Sequence, residues 1–108
     1  MTQKQTLSRL RKICLALPGA TEVEAWGHPT FRIRNKIFCT YGGYEDAPNI
    51  TVKVGKTALG IFTKDPRFWL ASHVGRHGWI SMSAAGDLDW EEVDELVKGS
   101  YALVSNGK

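Results

Sequence analysis

The chain has 108 residues, 43% of them hydrophobic, which is the size of one compact domain that can bury a core without metal or disulfide support. Two cysteines, each in an apolar run, exclude a disulfide framework, and the N-terminal "MTQKQTLSRLRK" has neither the apolar stretch of a signal peptide nor that of a membrane span. The net charge of +3 permits an acidic partner without demanding one, but it is unevenly placed: residues 1–86 carry 12 Lys or Arg against 5 Asp or Glu, and residues 87–108 carry 2 against 6. A single cytoplasmic domain over residues 1–108 is the expectation.

Leu7, Leu10, Ile13, Cys14 and Leu17 recur at helical spacing, with Arg9, Arg11 and Lys12 on the other side, which predicts an amphipathic first helix. Pro18 and Gly19 end it. From Glu22 to Tyr41 the period falls to about two, and "TFRIR" and "KIFCTY" are rich in β-branched and aromatic residues, so two strands joined tightly at Asn35 are expected. "GGYEDAPN" reads as a loop and "ITVKV" as a strand with one buried face. A short helix fits "KTALGIFTKDP" before Pro66, and "RFWLAS" and "GWISMS" are strand-like on either side of the Gly-rich "HVGRHG". Asp89 followed by Glu92 resembles an N-terminal capping box, and Trp90, Val93, Val97, Tyr101 and Val104 form the stripe of a last helix. "SNGK" reads as a tail. The order predicts an α+β domain, with helices packed on one side of a mainly antiparallel sheet.

Chemistry narrows as the candidates are taken in turn. His73 and His77 have zinc-binding spacing only if they share a helix face, and Gly75 and Gly78 argue against that helix. His28 could move a proton, and Cys39 is the nearest nucleophile, yet a thiol in a strand-like run reads as a buried structural group. Gly42–Gly43 lacks the spacing of a phosphate-binding loop. No enzyme, metal or cofactor is expected. The basic strand positions are more coherent: in an extended chain Arg32 and Arg34 face away from Phe31 and Ile33, and Lys53 away from Val52 and Val54. With Lys36 at the hairpin tip they would form a basic surface, extended by Arg67 and Arg76, that could neutralise phosphates. A solvent-facing sheet also carries such residues for solubility, so charge by itself is not specific. Trp26, Trp69, Trp79 and Trp90 read first as packing residues, and Tyr44, in a loop, as a surface that could stack on a base.

Beyond these readings, "LPGATEVEAWGHPTFRIRNKIF", "TVKV", "GWISM" and "LDWEEVDELVKGSYALV" resemble the MmcQ/YjbR-like proteins over nearly the whole chain. The most specific pieces are Pro18–Gly19, the block Trp26–Gly27–His28–Pro29 with Phe31, Lys36 and Phe38, Trp79, and Ser100–Tyr101. The resemblance implies a frataxin/CyaY-like arrangement and DNA binding through a proposed double-wing motif. Carried onto this chain, the first wing is the hairpin with Arg32, Arg34 and Lys36, and the second involves the 72–79 connection with His73, Arg76 and His77. Asn35 stands where a glycine is common in the family, and both suit a tight turn. Trp26, Phe31 and Phe38 are then expected to hold sheet to helices, and His28 has no assigned role. The leading expectation is phosphate contact with nucleic acid, DNA in particular, through Arg32, Arg34, Lys36, Lys53 and Arg76. The rival is a non-enzymatic protein-interaction or small-ligand module, and the two part on whether the basic residues share one exposed face.

Overall fold

The computed structural model describes residues 2–44 and 46–106; Glu45, in the segment read as a loop, and residues 107–108 of the tail lie outside them. Helix α1 (Gln3–Leu15) begins in a full capping box, in which Thr2 Oγ1 accepts from the Gln5 N–H and Gln5 Oε1 accepts from the Thr2 N–H. It buries Leu10 and Cys14 and stops short of Pro18. Strands β1 (Ala20–Ala25), β2 (His28–Ile33), β3 (Lys36–Tyr44) and β4 (Ala47–Lys53) then form an antiparallel meander. After two 3₁₀ turns (residues 56–58 and 75–77), helix α2 (Leu59–Phe62) and strands β5 (Phe68–Leu70) and β6 (Trp79–Ser83), helix α3 (Trp90–Ser105) closes the order. The six-stranded sheet runs β1-β2-β3-β4-β6-β5, with every neighbouring pair antiparallel. Helices α1 and α3 cover one face, and the core lies between them and the sheet.

Three sequence expectations are corrected. The 22–41 stretch holds parts of three strands rather than two, because Trp26 and Gly27 both take positive φ, as Arg34 and Asn35 also do, and each pair makes a two-residue hairpin turn. Most of "GGYEDAPN" is strand: Gly42, Gly43 and Tyr44 pair with Asn49, Pro48 and Ala47. Gly43 has φ +85, and a Cβ there would sit 2.5 Å from the Ala47 carbonyl oxygen, so the local propensity that reads as loop is the device that lets these strands stay paired. Finally, "SNGK" is not wholly tail, since α3 runs through Ser105.

At the start of α3 the Asp89 carboxylate accepts from the N–H groups of Glu91 and Glu92. The Glu92 carboxylate instead takes Arg67, which also grips Asp65. The capping is therefore one-sided, unlike that of α1.

A β-bulge decides which residues face where. Phe31 pairs with Cys39 and Arg32 with Ile37, so Phe38 is an extra residue on β3. Phe38 and Cys39 are consecutive and both fully buried, Phe38 meeting the Tyr101 ring of α3 edge to face at 5.4 Å. Where the β3–β4 ladder ends, at Cys39 and Val52, the Ser100 hydroxyl of α3 continues it: it donates to the Phe38 carbonyl and accepts from the Lys53 N–H at 2.8 Å. Beside it, Tyr101 donates to the Pro18 carbonyl at 2.5 Å. The Ser100–Tyr101 pair thus ties α3 to β3, β4 and the end of α1.

Candidate functional site

No long helix covers the sheet face away from α1 and α3, although Thr30 and Ser81 on it are buried, and the strand registers set its residues in three rows. Nearest the Trp26–Gly27 turn, His28 of β2 and Gly42 of β3 lie beside Asn49 and Ser83. One step along, Thr30, Thr40, Thr51 and Ser81 make a row of hydroxyls that ends at Trp69 on the edge strand. A further step along, Arg32 lies beside Ile37, and Lys53 beside Trp79. Four residues of strand separate the first row from the third, about 13 Å at 3.3 Å per residue.

A groove of about 600 Å³ occupies this face, its floor made by Thr30, Thr40, Thr51 and Ser81. Trp26 and Tyr44 stand at one end, Trp69 and Trp79 along the other side, and Ala71, Ser72 and Val74 form the far wall. Trp26 is 84% exposed and Tyr44 80% exposed. The expectation that Trp26 holds sheet to helices is therefore wrong: the hairpin turn places the indole beyond the core, whereas Phe31 and Phe38 are fully buried as expected. Trp26 also has φ +53, a left-handed backbone that a bulky L-residue adopts at a cost of about 1–2 kcal/mol. No carboxylate lines the groove among the described residues.

The floor is locally ordered. Thr30 Oγ1 donates to the Val23 carbonyl and accepts from Arg32 Nε, while Arg32 Nη1 donates to Asn35 Oδ1, so the guanidinium is held along the open face with three of its five N–H groups left over. Thr51 Oγ1 and Ser81 Oγ share a hydrogen bond of 2.7 Å. Thr40, Asn49 and the His28 ring have no side-chain hydrogen bond among the described residues. The His28 ring lies over Gly42, where an added Cβ would meet it in ordinary contact at 3.6 Å.

The expected basic surface is divided. Arg32 and Lys53 share the open face. Arg34 instead occupies the β2–β3 turn and donates to the Ser105 carbonyl at the end of α3, so it serves the helix side. Lys36 pairs with the core residue Ile33, and that register also turns it toward the helix side. The strict alternation that grouped Arg32, Arg34 and Lys36 fails because the turn interrupts it before Arg34 and the bulge shifts it before Phe38. Arg67 is paired with Asp65 and Glu92, whose hydrogen bonds raise its pKa, and Arg67 in turn depresses that of Asp65. Arg76 is exposed in the 71–78 connection, between His73, a turn residue with φ +66, and His77, which ends a 3₁₀ turn, so no α-helix face unites the two histidines.

His28 and Cys39 do not converge: the imidazole is on the open face, and the Cys39 thiol is buried on the other against Cys14, whose hydrogen bond, with burial, pushes its pKa well up. An unreactive, packed thiol is the result. The hydroxyl row and Asn49 escaped the sequence reading, although the polar positions of "KIFCTY" and "ITVKV" carried part of the signal.

A family model described as YjbR matches residues 15–103. Among solved structures, a Deinococcus radiodurans protein with a DUF419 domain superposes with a TM-score of 0.81 at 19% identity, covering 94% of this chain and 79% of that one. A Pseudomonas syringae protein superposes with a TM-score of 0.72 at 21% identity, covering 95% and 98%. These structural likenesses show the fold alone. No curated protein sequence matches.

Proposed function

The chain belongs to the YjbR family, and from that premise we propose that it binds nucleic acid, DNA in the first instance, across the open face of its sheet. The observation that carries this reading is the third row: Arg32 and Lys53 lie on one open face, next to exposed aromatic side chains and a groove without a lining carboxylate among the described residues. Phosphates would lie against the two cations, and the hydroxyl row and aromatic rings would take sugars and bases. Nothing in this arrangement needs a cofactor or a chemical step. The protein is read as a binding module rather than an enzyme.

The proposal moves the phosphate contacts off the hairpin tip. Arg34 and Lys36 point toward the helix side and serve as an internal control. With two cations on the face, affinity is weak, roughly 10⁻⁴ to 10⁻⁶ M at physiological salt. The test is fluorescence anisotropy of a labelled single strand over a salt series, with wild type, the double variant R32E/K53E and the double variant R34A/K36A. Loss of two phosphate contacts lowers the magnitude of the log–log salt slope by roughly 1.4 for a single strand. Equal losses in both variants, or binding that ignores salt, would refute phosphate contact by this face.

A further inference from the structure

The other end of the groove is built differently from the cationic row. Trp26 projects from the β1–β2 turn and Tyr44 from the end of β3, over a floor that contains Gly42, with the His28 ring beside them. Both rings are largely in water, and Trp26 holds a strained backbone at a turn position where Asn or Gly is the low-energy choice. Neither cost is returned by packing within the fold. Between the rings and the hydroxyl row sits the Asn49 carboxamide, a donor and acceptor pair, and next to it in the row is the Thr40 hydroxyl, neither bonded to another side chain among the described residues.

We infer that the Trp26–His28–Tyr44 end of the groove seats one unpaired nucleobase of a bound strand, its face against the aromatic rings and its polar edge on Asn49 and Thr40. The inference rests on the proposed function for the identity of the ligand, and it adds that the protein selects unpaired over duplex nucleic acid. A base in a duplex has both faces stacked and its pairing edge occupied, so it can offer neither surface to the groove. A flat heterocycle also suits uncommitted aromatic faces better than a polyhydroxylated sugar does, since the latter would find no lining carboxylate among the described residues to accept its hydroxyl protons. The first and third rows are about 13 Å apart along the strands, and the Arg32 guanidinium reaches back to the hydroxyl row between them. The occupant is a strand lying along β2 to β4, which meets the aromatic end and the cations together.

The test separates bases from phosphates. Wild-type protein is titrated with labelled oligothymidylate, with an abasic deoxyribose-phosphate strand of the same length, and with a duplex. Titrations are repeated with Trp26→Asn, which suits the turn and keeps it folded, and with Tyr44→Ala. Stacking on one aromatic residue is worth roughly 5- to 150-fold in affinity. Each variant should lose that factor on oligothymidylate and nothing on the abasic strand, which wild type should bind at least about 10-fold more weakly than oligothymidylate. Equal wild-type affinity for the oligothymidylate and the abasic strand overturns the base site while leaving phosphate binding standing. So does equal affinity for the duplex, or unchanged oligothymidylate affinity in folded Trp26→Asn. If no strand binds at low salt, the proposed function falls first, and thymidine titrated by NMR decides the base site. Shifts confined to the Asn49 side-chain amide and the Trp26 indole would sustain it, and their absence would end it.

Discussion

Ser100→Ala isolates the contribution of one hydroxyl to the sheet. The side chain is fully buried, and its Oγ bridges two backbone groups, the Phe38 carbonyl and the Lys53 N–H, where the β3–β4 ladder ends beside the bulge. Alanine removes the one oxygen that serves both groups. Two buried backbone groups without partners cost about 1–3 kcal/mol each. Alanine returns about 0.5 kcal/mol of helix propensity within α3, so the expected net loss is roughly 3 kcal/mol. In a domain of this size that lowers Tm by roughly 12 °C. Urea denaturation followed by tryptophan fluorescence reads the loss, and hydrogen exchange locates it, because the Lys53 amide should lose protection before its neighbours in β4. A loss below about 0.5 kcal/mol, with Lys53 still protected, would refute the bridge and with it the account of how the bulged strand is held.

Trp26→Asn should stabilise the fold by about 1 kcal/mol in urea denaturation while weakening strand binding, since it relieves a left-handed tryptophan at an exposed turn; destabilisation would mean that the indole packs. The Tyr41 hydroxyl is buried without a partner among the described residues, and burial raises its pKa. Tyr41→Phe should accordingly be neutral or stabilising by up to about 1 kcal/mol, and a loss beyond that in the same denaturation assay would reveal a partner. Arg67 hydrogen bonds hold the Asp65 carboxyl below its ordinary value of 3.8. Its folded pKa being depressed, the stabilisation is fully present above the unfolded value and is lost as pH falls through the lower folded value. Carboxyl NMR should place the Asp65 midpoint below 3.8 in wild type and return it toward 3.8 in Arg67→Met, and an unmoved midpoint would refute the assignment. Arg34→Ala should cost about 0.5–1.5 kcal/mol in thermal unfolding through the lost hydrogen bond to Ser105, with no change in strand affinity.

What the sequence determined by itself was part of the set of elements: α1 and α3 from their 3.6-residue stripes, the short helix before Pro66, the paired strands about Asn35, and the α+β class. Those follow from periodicity, caps and turn residues, which act within a few positions along the chain. The tertiary structure alone decided which polar side chains share a face. Arg32, Arg34 and Lys36 look equivalent at two-residue spacing, yet a turn and a one-residue bulge send Arg32 to the open face and the other two toward the helix side. Trp26 reads as core from its hydrophobicity and is exposed because a hairpin turn carries it past the sheet. Asn49, Thr40 and His28 lie on three different strands and become neighbours only through register. Strand faces have a period of two, so an error of one residue inverts every assignment beyond it, and the residue that introduces the error at Phe38 is fixed by Ser100, 62 positions away.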